Sequence, residues 1–415
     1  MFEFIPRITK ASSVNSAPRV ALFTDSFHET NGVATVSRQF ADFAQRRGIP
    51  FCCIYGGKET RVAQQGSVLT MELKRSPASF PVDKGLYSDP LLSRYKNWML
   101  NRLTSFQPDL IHITGPGDVG ILGFWMAHCL KVPLVASWHT NLHEFVSRRL
   151  LKSLSFFPGD WRERVASFSE SQVLRALVKF YRLAYFGLAP NATMVDLLRD
   201  LTGRNVYLMK HGVDVDLFSP ARRERARNGF CIGYVGRLTP EKNVRAFAEL
   251  ERKLVAAGER DFRLLLVGEG SEREWLKKNL RFGEVPGVLH GERLASAFAS
   301  MDAFVFPSRT DTFGLVILEA MASGVPVIAN PDTGSRVGIS DRRAGFLSED
   351  FTESVLELMK SDALRQKMGC EARRFACSKV WSGVFEDLYE TYAVGLDTEE
   401  VRNRLARKRA SLVQR

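Results

Sequence analysis

Two carboxylates eight positions apart, Asp311 and Glu319, flank the turn 312–314. The segment before them, 303–307, has the apolar composition of a buried strand in a parallel sheet, and an apolar run from Leu315 onward predicts a helix. Asp311 is therefore expected on the loop beyond a strand's carboxyl end, with Glu319 in the first turns of the next helix. Open α/β sheets bind ligands at this edge. Two acids beside backbone amides suit a ligand with phosphate and many hydroxyls, such as a nucleotide sugar.

Two cations follow another strand-like segment. Arg237 and Lys242 lie five residues apart behind the apolar run 230–236, which ends in a glycine. A guanidinium can hold phosphate oxygens in a bidentate manner and an ammonium adds a point charge. The pair can therefore neutralise a departing diphosphate. An exposed basic loop that binds no ligand is the alternative interpretation.

Strand-like apolar segments alternate with helical patterns along the chain. This alternation predicts an α/β fold in which parallel sheets carry helices on both faces. The length of 415 residues exceeds one ordinary domain, and a polar, basic stretch, Ser219–Gly229, separates two series of strands. The predicted strands are 19–23, 49–55, 110–114 and 134–138 in the first series and 230–236, 263–267, 288–290, 303–306 and 326–329 in the second.

Composition limits the partners and the compartment. The net charge of +12 favours nucleotide phosphates, anionic lipid surfaces or nucleic acid without choosing among them. The six cysteines show no metal-binding spacing, which fits a reducing cytoplasm. The amino terminus lacks the pattern of a signal peptide, and the longest apolar run, 119–130, is too short to span a bilayer. We therefore expect a cytoplasmic protein that is soluble or peripheral on the inner face of a membrane.

Basic and aromatic residues interleave over 142–186, with few acids among them. Such a stretch suits an anionic lipid surface. It also suits a pair of amphipathic helices packed on a sheet. Both interpretations stay open at the level of sequence.

The chain resembles the retaining glycosyltransferases of family 4, which have the GT-B architecture of two Rossmann-like domains facing across a cleft. The resemblance covers roughly residues 19–395. It is carried by the stretch 308–329 and by five shorter motifs in the expected order, which are 31–36, 137–140, 211–214, 236–243 and 267–270. Two departures stand out. The first paired acid is Asp311 where the family usually has glutamate, and Asn31–Gly32 replaces a glycine pair.

The resemblance implies a domain division and a set of site residues. Residues 1–212 would form an acceptor-side domain and 213–380 a nucleotide-sugar-binding domain, with the helical pattern 381–396 crossing back so that 381–415 joins the first. A helix that merely caps the second domain is the alternative. The implied donor-binding residues are Gly32, Arg237, Lys242, Gly268, Glu269, Asp311, Thr312, Phe313, Gly314, Leu315 and Glu319.

Individual roles also follow from the resemblance. Arg237 and Lys242 would hold the diphosphate, Glu319 the ribose hydroxyls, and Asp311 the donor sugar. His139 would lie near the transferred sugar without being a clear general base, and His211 would line the cleft. A satisfied polar residue is the alternative for either histidine.

The resulting expectation is a retaining hexosyltransferase, with mannose favoured. The donor would be a GDP- or UDP-sugar and the acceptor a hydroxyl of a lipid, lipid-linked or glycan molecule. No Asp-x-Asp pair stands at a convincing metal position, so we expect neither metal nor cofactor. Alternatives are a nucleotide-sugar epimerase, a glucan synthase, or an inactive nucleotide-sugar-binding protein. A nucleic-acid-binding module is permitted by the charge but supported by no motif, so we expect no nucleic-acid partner.

Overall fold

The computed structural model describes residues 17–83, 86–139, 171–224, 229–309, 311–332, 334, 339 and 342–397. The described chain divides into two compact units. Unit 1 runs up to Met209 and resumes at Phe385, and unit 2 is Lys210–Val384. The sequence placed these boundaries at 212/213 and 380/381. The second boundary falls inside a continuous helix, Trp381–Leu396, so no break in local structure marks it.

The sheet of unit 1 has eight strands, which are β1 (Val20–Thr24), β2 (Phe51–Gly57), β3 (Arg61–Gln65), β4 (Val68–Lys74), β7 (Leu110–Ile113), β8 (Leu134–Ser137), β9 (Phe186–Ala189) and β10 (Val206–Leu208). Their order in the sheet is β10-β9-β8-β7-β1-β2-β4-β3. All neighbours are parallel except β3 and β4, which pair antiparallel at one edge. A separate antiparallel pair consists of β5 (Phe80–Asp83) and β6 (Leu86–Ser88).

Helices cover this sheet. They are Gly32–Arg47, Lys96–Phe106, Asp118–Leu130, Ala192–Thr202 and the helical residues 171–181, with a 3-10 helix at Pro90–Tyr95. The terminal helix belongs to unit 1 from Phe385 onward, where Phe385 stacks on Phe40 with ring centroids 4.7 Å apart. On the same helix Tyr392 shares a 2.7 Å hydrogen bond with Nδ1 of the buried His112. This segment therefore completes the core of unit 1.

The sheet of unit 2 is wholly parallel, with six strands in the order β13-β12-β11-β14-β15-β16. The strands are β11 (Phe230–Val235), β12 (Phe262–Val267), β13 (Gly283–Gly287), β14 (Ala303–Phe306), β15 (Val327–Ala329) and β16 (Gly345–Leu347). The helices are Ala246–Ala256, Arg273–Asn279, Gly291–Ala299, Leu315–Ala322, Phe351–Lys360 and Asp362–Cys377, with 3-10 turns at Pro220–Arg222 and Pro240–Lys242. β11 to β15 are almost wholly buried except for β13, as expected for strands covered on both faces.

Two sequence expectations for unit 2 are wrong. The strand predicted at 288–290 lies earlier, at Gly283–Gly287, where main-chain pairing with β12 overrides the poor strand propensity of glycine and proline. The stretch Ser219–Gly229 is not the linker, because the unit boundary precedes it. Arg222 and Arg223 instead bind Glu292 and Asp302 within unit 2, at 2.8 and 2.7 Å.

Candidate functional site

The strand order of unit 2 reverses direction between β11 and β14. From β11 the chain proceeds to β12 and β13 on one side, and it then crosses to β14, β15 and β16 on the other. Loops that leave the carboxyl ends of two such strands diverge and open a crevice, which is where open α/β sheets bind ligands. Lys242 follows β11 and Asp311 follows β14, so both lie at this switch point.

Lys242 and Asp311 meet across the switch point. The ammonium Nζ donates to Oδ1 of Asp311 at 2.6 Å, and the two side chains are 14% and 22% exposed. An ammonium has three N–H donors, so two remain for a ligand. The second carboxylate oxygen of Asp311 is buried and accepts no hydrogen bond from any described residue. The pair thus presents both a cation and an unsatisfied acceptor at the crevice.

Arg237 lies at the start of the loop after β11 that also carries Lys242. It directly follows Gly236, and its backbone carbonyl accepts a 3.0 Å hydrogen bond from the phenol of the buried Tyr234. Its guanidinium is half-exposed and lies 3.6 Å from the carboxylate of Glu241. The main chain is fixed while the guanidinium keeps access to solvent. This combination suits a group that binds an incoming anion.

The loops after β11 and β12 touch through glycine. Gly268 has φ +146°, and a Cβ at this position would lie 1.9 Å from the carbonyl oxygen of Gly236. The next residue, Glu269, accepts a hydrogen bond from the amide of Leu238 at 2.8 Å. Its carboxylate lies 3.4 Å from the guanidinium of Arg273. Glycine is therefore required here for close packing of two loops, and the Glu269 carboxylate is engaged in an ion pair.

The turn after Asp311 leads into the helix that carries the second acid, Glu319. Gly314 adopts a left-handed conformation, with φ +74°, immediately before the helix that begins at Leu315. Glu319 is the fifth residue of this helix, and burial raises the pKa of its carboxyl to about 7. No hydrogen bond or ion pair from the described residues reaches that carboxylate. A half-buried acid to which no described residue binds is a natural acceptor for ligand hydroxyls.

The ring of His211 stacks on Phe313, with centroids 4.0 Å apart and planes inclined by 20°. The predicted turn 312–314 and the His211 motif are therefore brought together within unit 2. Thr312 precedes Phe313, and its carbonyl oxygen lies close to Gly334. A Cβ on Gly334 would lie 2.5 Å from that oxygen. The amide of Gly334 donates to the carbonyl of Asp311 at 2.9 Å. The turn is thus held from two sides.

The two predicted residues of unit 1 occupy different environments. Gly32 is the first residue of the helix Gly32–Arg47, not a loop residue as expected, and the capping Asn31 accepts from the amide of Ala34 at 2.9 Å. His139 follows β8, and burial lowers the pKa of its imidazole to about 4. A neutral His139 can exchange hydrogen bonds but carries no charge near neutral pH. It is therefore unsuited to binding phosphate by charge.

Asp25 escaped the sequence analysis. It follows β1 at the point where the strand order of unit 1 reverses between β1 and β7. Its Oδ1 accepts from the amide of Val119 at 2.9 Å, and burial raises its pKa to about 6. A Cβ on Gly117 would lie 2.4 Å from this carboxylate. The available signal was the one used for Asp311: a carboxylate directly beyond a buried strand.

The stretch 142–186 is described only from residue 171. There the apolar side chains Leu177 and Tyr181 are buried in unit 1, and Tyr181 packs on Trp138 with centroids 4.9 Å apart. Arg175, Lys179 and Arg182 remain exposed. The packing interpretation therefore holds for this described part, and the rest of the stretch lies outside the described residues.

The described residues contain neither a membrane-spanning helix nor a cluster of metal-binding side chains. None of their helices is long and apolar enough to cross a membrane. They also include no group of three or more His, Cys, Asp or Glu side chains that could hold a metal ion.

Comparison with known proteins agrees with this architecture. Residues 30–217 match the family described as Glycosyltransferase Family 4, and residues 229–361 match the one described as Glycosyl transferases group 1. The GDP-mannose-dependent alpha-mannosyltransferase of Mycolicibacterium smegmatis is 32% identical over 314 residues, which are 73% of this chain and 78% of that protein. The phosphatidyl-myo-inositol mannosyltransferase of Mycobacterium leprae is 25% identical over 404 residues, 89% of this chain and 95% of that protein.

A solved structure extends the agreement in fold. Sucrose-phosphate synthase from Thermosynechococcus elongatus superposes with a TM-score of 0.68 at 17% identity, over 90% of this chain and 98% of that one. The two parallel-sheet α/β units have the GT-B fold that the sequence predicted. The chain belongs to glycosyltransferase family 4.

Proposed function

We propose that the protein transfers a mannosyl residue from GDP-mannose to a hydroxyl of a lipid or lipid-linked acceptor. The observation that carries the proposal is the Lys242–Asp311 pair across the switch point of unit 2. Arg237 lies on the same loop as Lys242, and Glu319 lies in the helix that follows Asp311. Together the four residues offer two cations for a diphosphate and two carboxylates for hydroxyls. The names of both mannosyltransferase relatives favour mannose, and one of them includes the lipid phosphatidyl-myo-inositol.

The proposed reaction proceeds with retention of the anomeric configuration. The bond between the anomeric carbon and the diphosphate oxygen breaks, and the acceptor oxygen forms its bond to that carbon from the same face. The acceptor's proton passes to the departing phosphate. Arg237 and Lys242 stabilise the charge that develops on this phosphate, which is the largest electrostatic demand of the step. Glu319 accepts from the ribose hydroxyls and Asp311 from a hydroxyl of the sugar.

The cation pair supplies positive charge where many transferases use a divalent ion. We therefore propose that turnover needs no metal. His139 and Gly32 keep their predicted roles near the transferred sugar as part of this proposal. Nothing in the described part of unit 1 assigns them a catalytic proton transfer.

Contact with anionic membranes is a further part of the proposal. Arg175, Lys179 and Arg182 are exposed, while Leu177 and Tyr181 of the same helical segment are buried. The contact made by this segment would be electrostatic, without insertion of its apolar face, and would weaken as salt rises. Sedimentation with anionic and neutral vesicles at low and high salt tests this, and equal binding to both vesicle types would contradict it.

The reaction is tested by proton NMR of the product formed from GDP-mannose in the presence of a chelator. The expected result is full activity and an α-linked mannoside. An inverted product would overturn the retaining mechanism. Activity that is lost in the chelator and restored only by added metal would overturn metal independence. Epimerisation of the mannosyl group of GDP-mannose, with no transfer to an acceptor, would favour an epimerase instead.

A further inference from the structure

A groove of about 400 Å³ lies in unit 1, between the 3-10 helix Pro90–Tyr95 and the helix Asp118–Leu130. Its wall is largely apolar and includes Leu92, Ile121, Leu122 and Trp125. Three of these share a helix face with Asp118 at spacings of three, four and seven residues. The groove therefore runs about 10 Å along the helix, from Asp118 to Trp125. Ile121 is 52% exposed and Trp125 is partly exposed, and these two side chains form an apolar stripe that meets solvent. Leu92 and Leu122 are buried.

The two ends of the groove differ in chemistry. At one end, Asp118 accepts a 2.5 Å hydrogen bond from the amide of Asp89. At the other end, the ammonium of Lys96 lies 4.5 Å from the centre of the Trp125 ring. The next residue after Asp118, Val119, donates to Asp25. The acidic end therefore adjoins the switch point between β1 and β7, where a ligand of unit 1 is expected.

The charges at that end select among possible ligands. Carboxylates accept hydrogen bonds from hydroxyls and repel phosphate or carboxylate groups. The volume lies in the range of small-molecule sites, which are mostly apolar with a few polar groups that fix orientation. The match is to an amphiphile with an apolar chain and an uncharged head rich in hydroxyls.

We propose that this groove binds the apolar chain of the acceptor, with the hydroxyl-bearing head at Asp118 and Asp25. The proposal rests on the transferase function proposed above and specifies its acceptor class. The chain lies along the accessible side chains of Ile121 and Trp125. The head is thereby held at the carboxyl edge of the unit 1 sheet.

The test is calorimetric titration of the full chain with hexyl, octyl and decyl α-mannosides below their micelle concentrations, without donor. Each added methylene that enters the groove should strengthen binding by up to about fourfold. Ile121→Glu places a charge in the apolar stripe, and Ser93→Trp fills the groove from the opposite wall. Both variants should abolish the dependence on chain length.

Leu197→Glu is the matched control, because Leu197 is a 43% exposed residue of another unit 1 helix, Ala192–Thr202. It should keep the wild-type dependence. Affinity that is the same for all three chains would overturn the proposal. The proposal would also be overturned if Ile121→Glu kept the wild-type dependence on chain length but lost binding to neutral vesicles. That result would make this face a membrane contact. Because no donor is present, a failure of GDP-mannose turnover would not imitate either result.

Discussion

The residue that most directly links structure to the proposed chemistry is Lys242. Its ammonium is partly buried and holds Asp311 at 2.6 Å while keeping donors for a ligand. Lys242→Ala removes a charged contact to the diphosphate and leaves Asp311 without its cation. We expect a folded protein whose kcat/KM for the donor falls about ten- to a hundredfold, from a loss of roughly 1.5–3 kcal/mol. Glu319→Ala should weaken donor use to a similar extent.

Lys253→Ala provides the matched control for Lys242→Ala. Lys253 is also in unit 2 and also pairs with carboxylates, those of Glu249 and Asp350, but on the surface of a helix. Its loss should leave donor kinetics unchanged. Steady-state kinetics over a range of donor concentrations compare the two variants. Near wild-type kcat/KM in a folded Lys242→Ala protein would remove this residue from the site.

Glu319 makes a prediction about pH. Burial raises its carboxyl pKa from the usual 4.5 to about 7. The native state without ligand therefore favours the protonated acid, and its ionisation opposes folding increasingly as pH rises from 4.5 to 7. Glu319→Gln removes that opposition. The donor-free variant should melt roughly 3–8 °C higher than wild type at pH 8, with little difference at pH 4.

Ionisation of Glu319 lowers the stability of the donor-free protein as pH rises, but it should raise the affinity for donor. Ribose hydroxyls donate to the ionised carboxylate, so wild-type affinity for donor should fall as pH drops below about 7. The Gln variant should bind donor weakly at every pH. Calorimetric titration with the donor between pH 5 and 8, set beside melting curves, checks both halves. A Gln variant that is less stable than wild type at pH 8 would contradict the assigned environment of Glu319.

At the scale of elements, the close approach of two loops depends on Gly268. A Cβ here would lie 1.9 Å from the Gly236 carbonyl, and φ is +146°. Gly268→Ala should cost about 1–3 kcal/mol through the clash, beyond the cost of the backbone conformation, and should also raise the donor KM. Gly258→Ala is the control, since Gly258 has φ +95° with no atom within 4 Å of the added Cβ. It should cost only about 1–2 kcal/mol.

Urea unfolding gives the free energy of unfolding for both alanine variants. Equal losses would mean that the clash is relieved by movement of the loops. Donor KM then becomes the deciding measurement. An unchanged KM in Gly268→Ala would separate the loop contact from the site.

Much of unit 2 could be predicted from sequence because its elements are local and strongly patterned. The strand Ala303–Phe306, the turn at Gly314 and the helix from Leu315 follow from apolar runs and a glycine. β13 could not be predicted in place, because its Gly283, Pro286 and Gly287 are poor strand formers that pair only through the neighbouring β12.

In unit 1, the antiparallel β3–β4 edge could not be predicted, since β3 is mostly exposed and carries little apolar pattern.

The candidate site was predictable to the extent that its residues follow strands in sequence. The positions of Asp311, Glu319, Arg237 and Lys242 after strands are enough to propose them as site residues. The pairing of Lys242 with Asp311 cannot be predicted in this way, because strand order decides which loops meet. The acceptor groove could not be predicted from the sequence for the same reason. Its walls come from two segments that only the fold brings together.

At the scale of the whole molecule, the terminal helix contributes to unit 1 although it lies at the far end of the chain. Phe385 is fully buried and stacks on Phe40. Phe385→Ala should cost about 3–5 kcal/mol of unit 1 stability by leaving a cavity. Val394→Ala, on a 60% exposed residue of the same helix, should cost little. Denaturant unfolding measures both, and a loss below about 1 kcal/mol in Phe385→Ala would contradict the described packing.

The central claim is transfer of mannose from GDP-mannose by the site in unit 2. Its most direct test is mass spectrometry of decyl α-mannoside after incubation with GDP-mannose, in parallel with UDP-glucose, for wild type and for Lys242→Ala. The account predicts that wild type adds one hexose from GDP-mannose, that UDP-glucose gives little product, and that Lys242→Ala loses roughly nine-tenths or more of the product. Transfer from UDP-glucose but not from GDP-mannose, or undiminished transfer by Lys242→Ala, would contradict it.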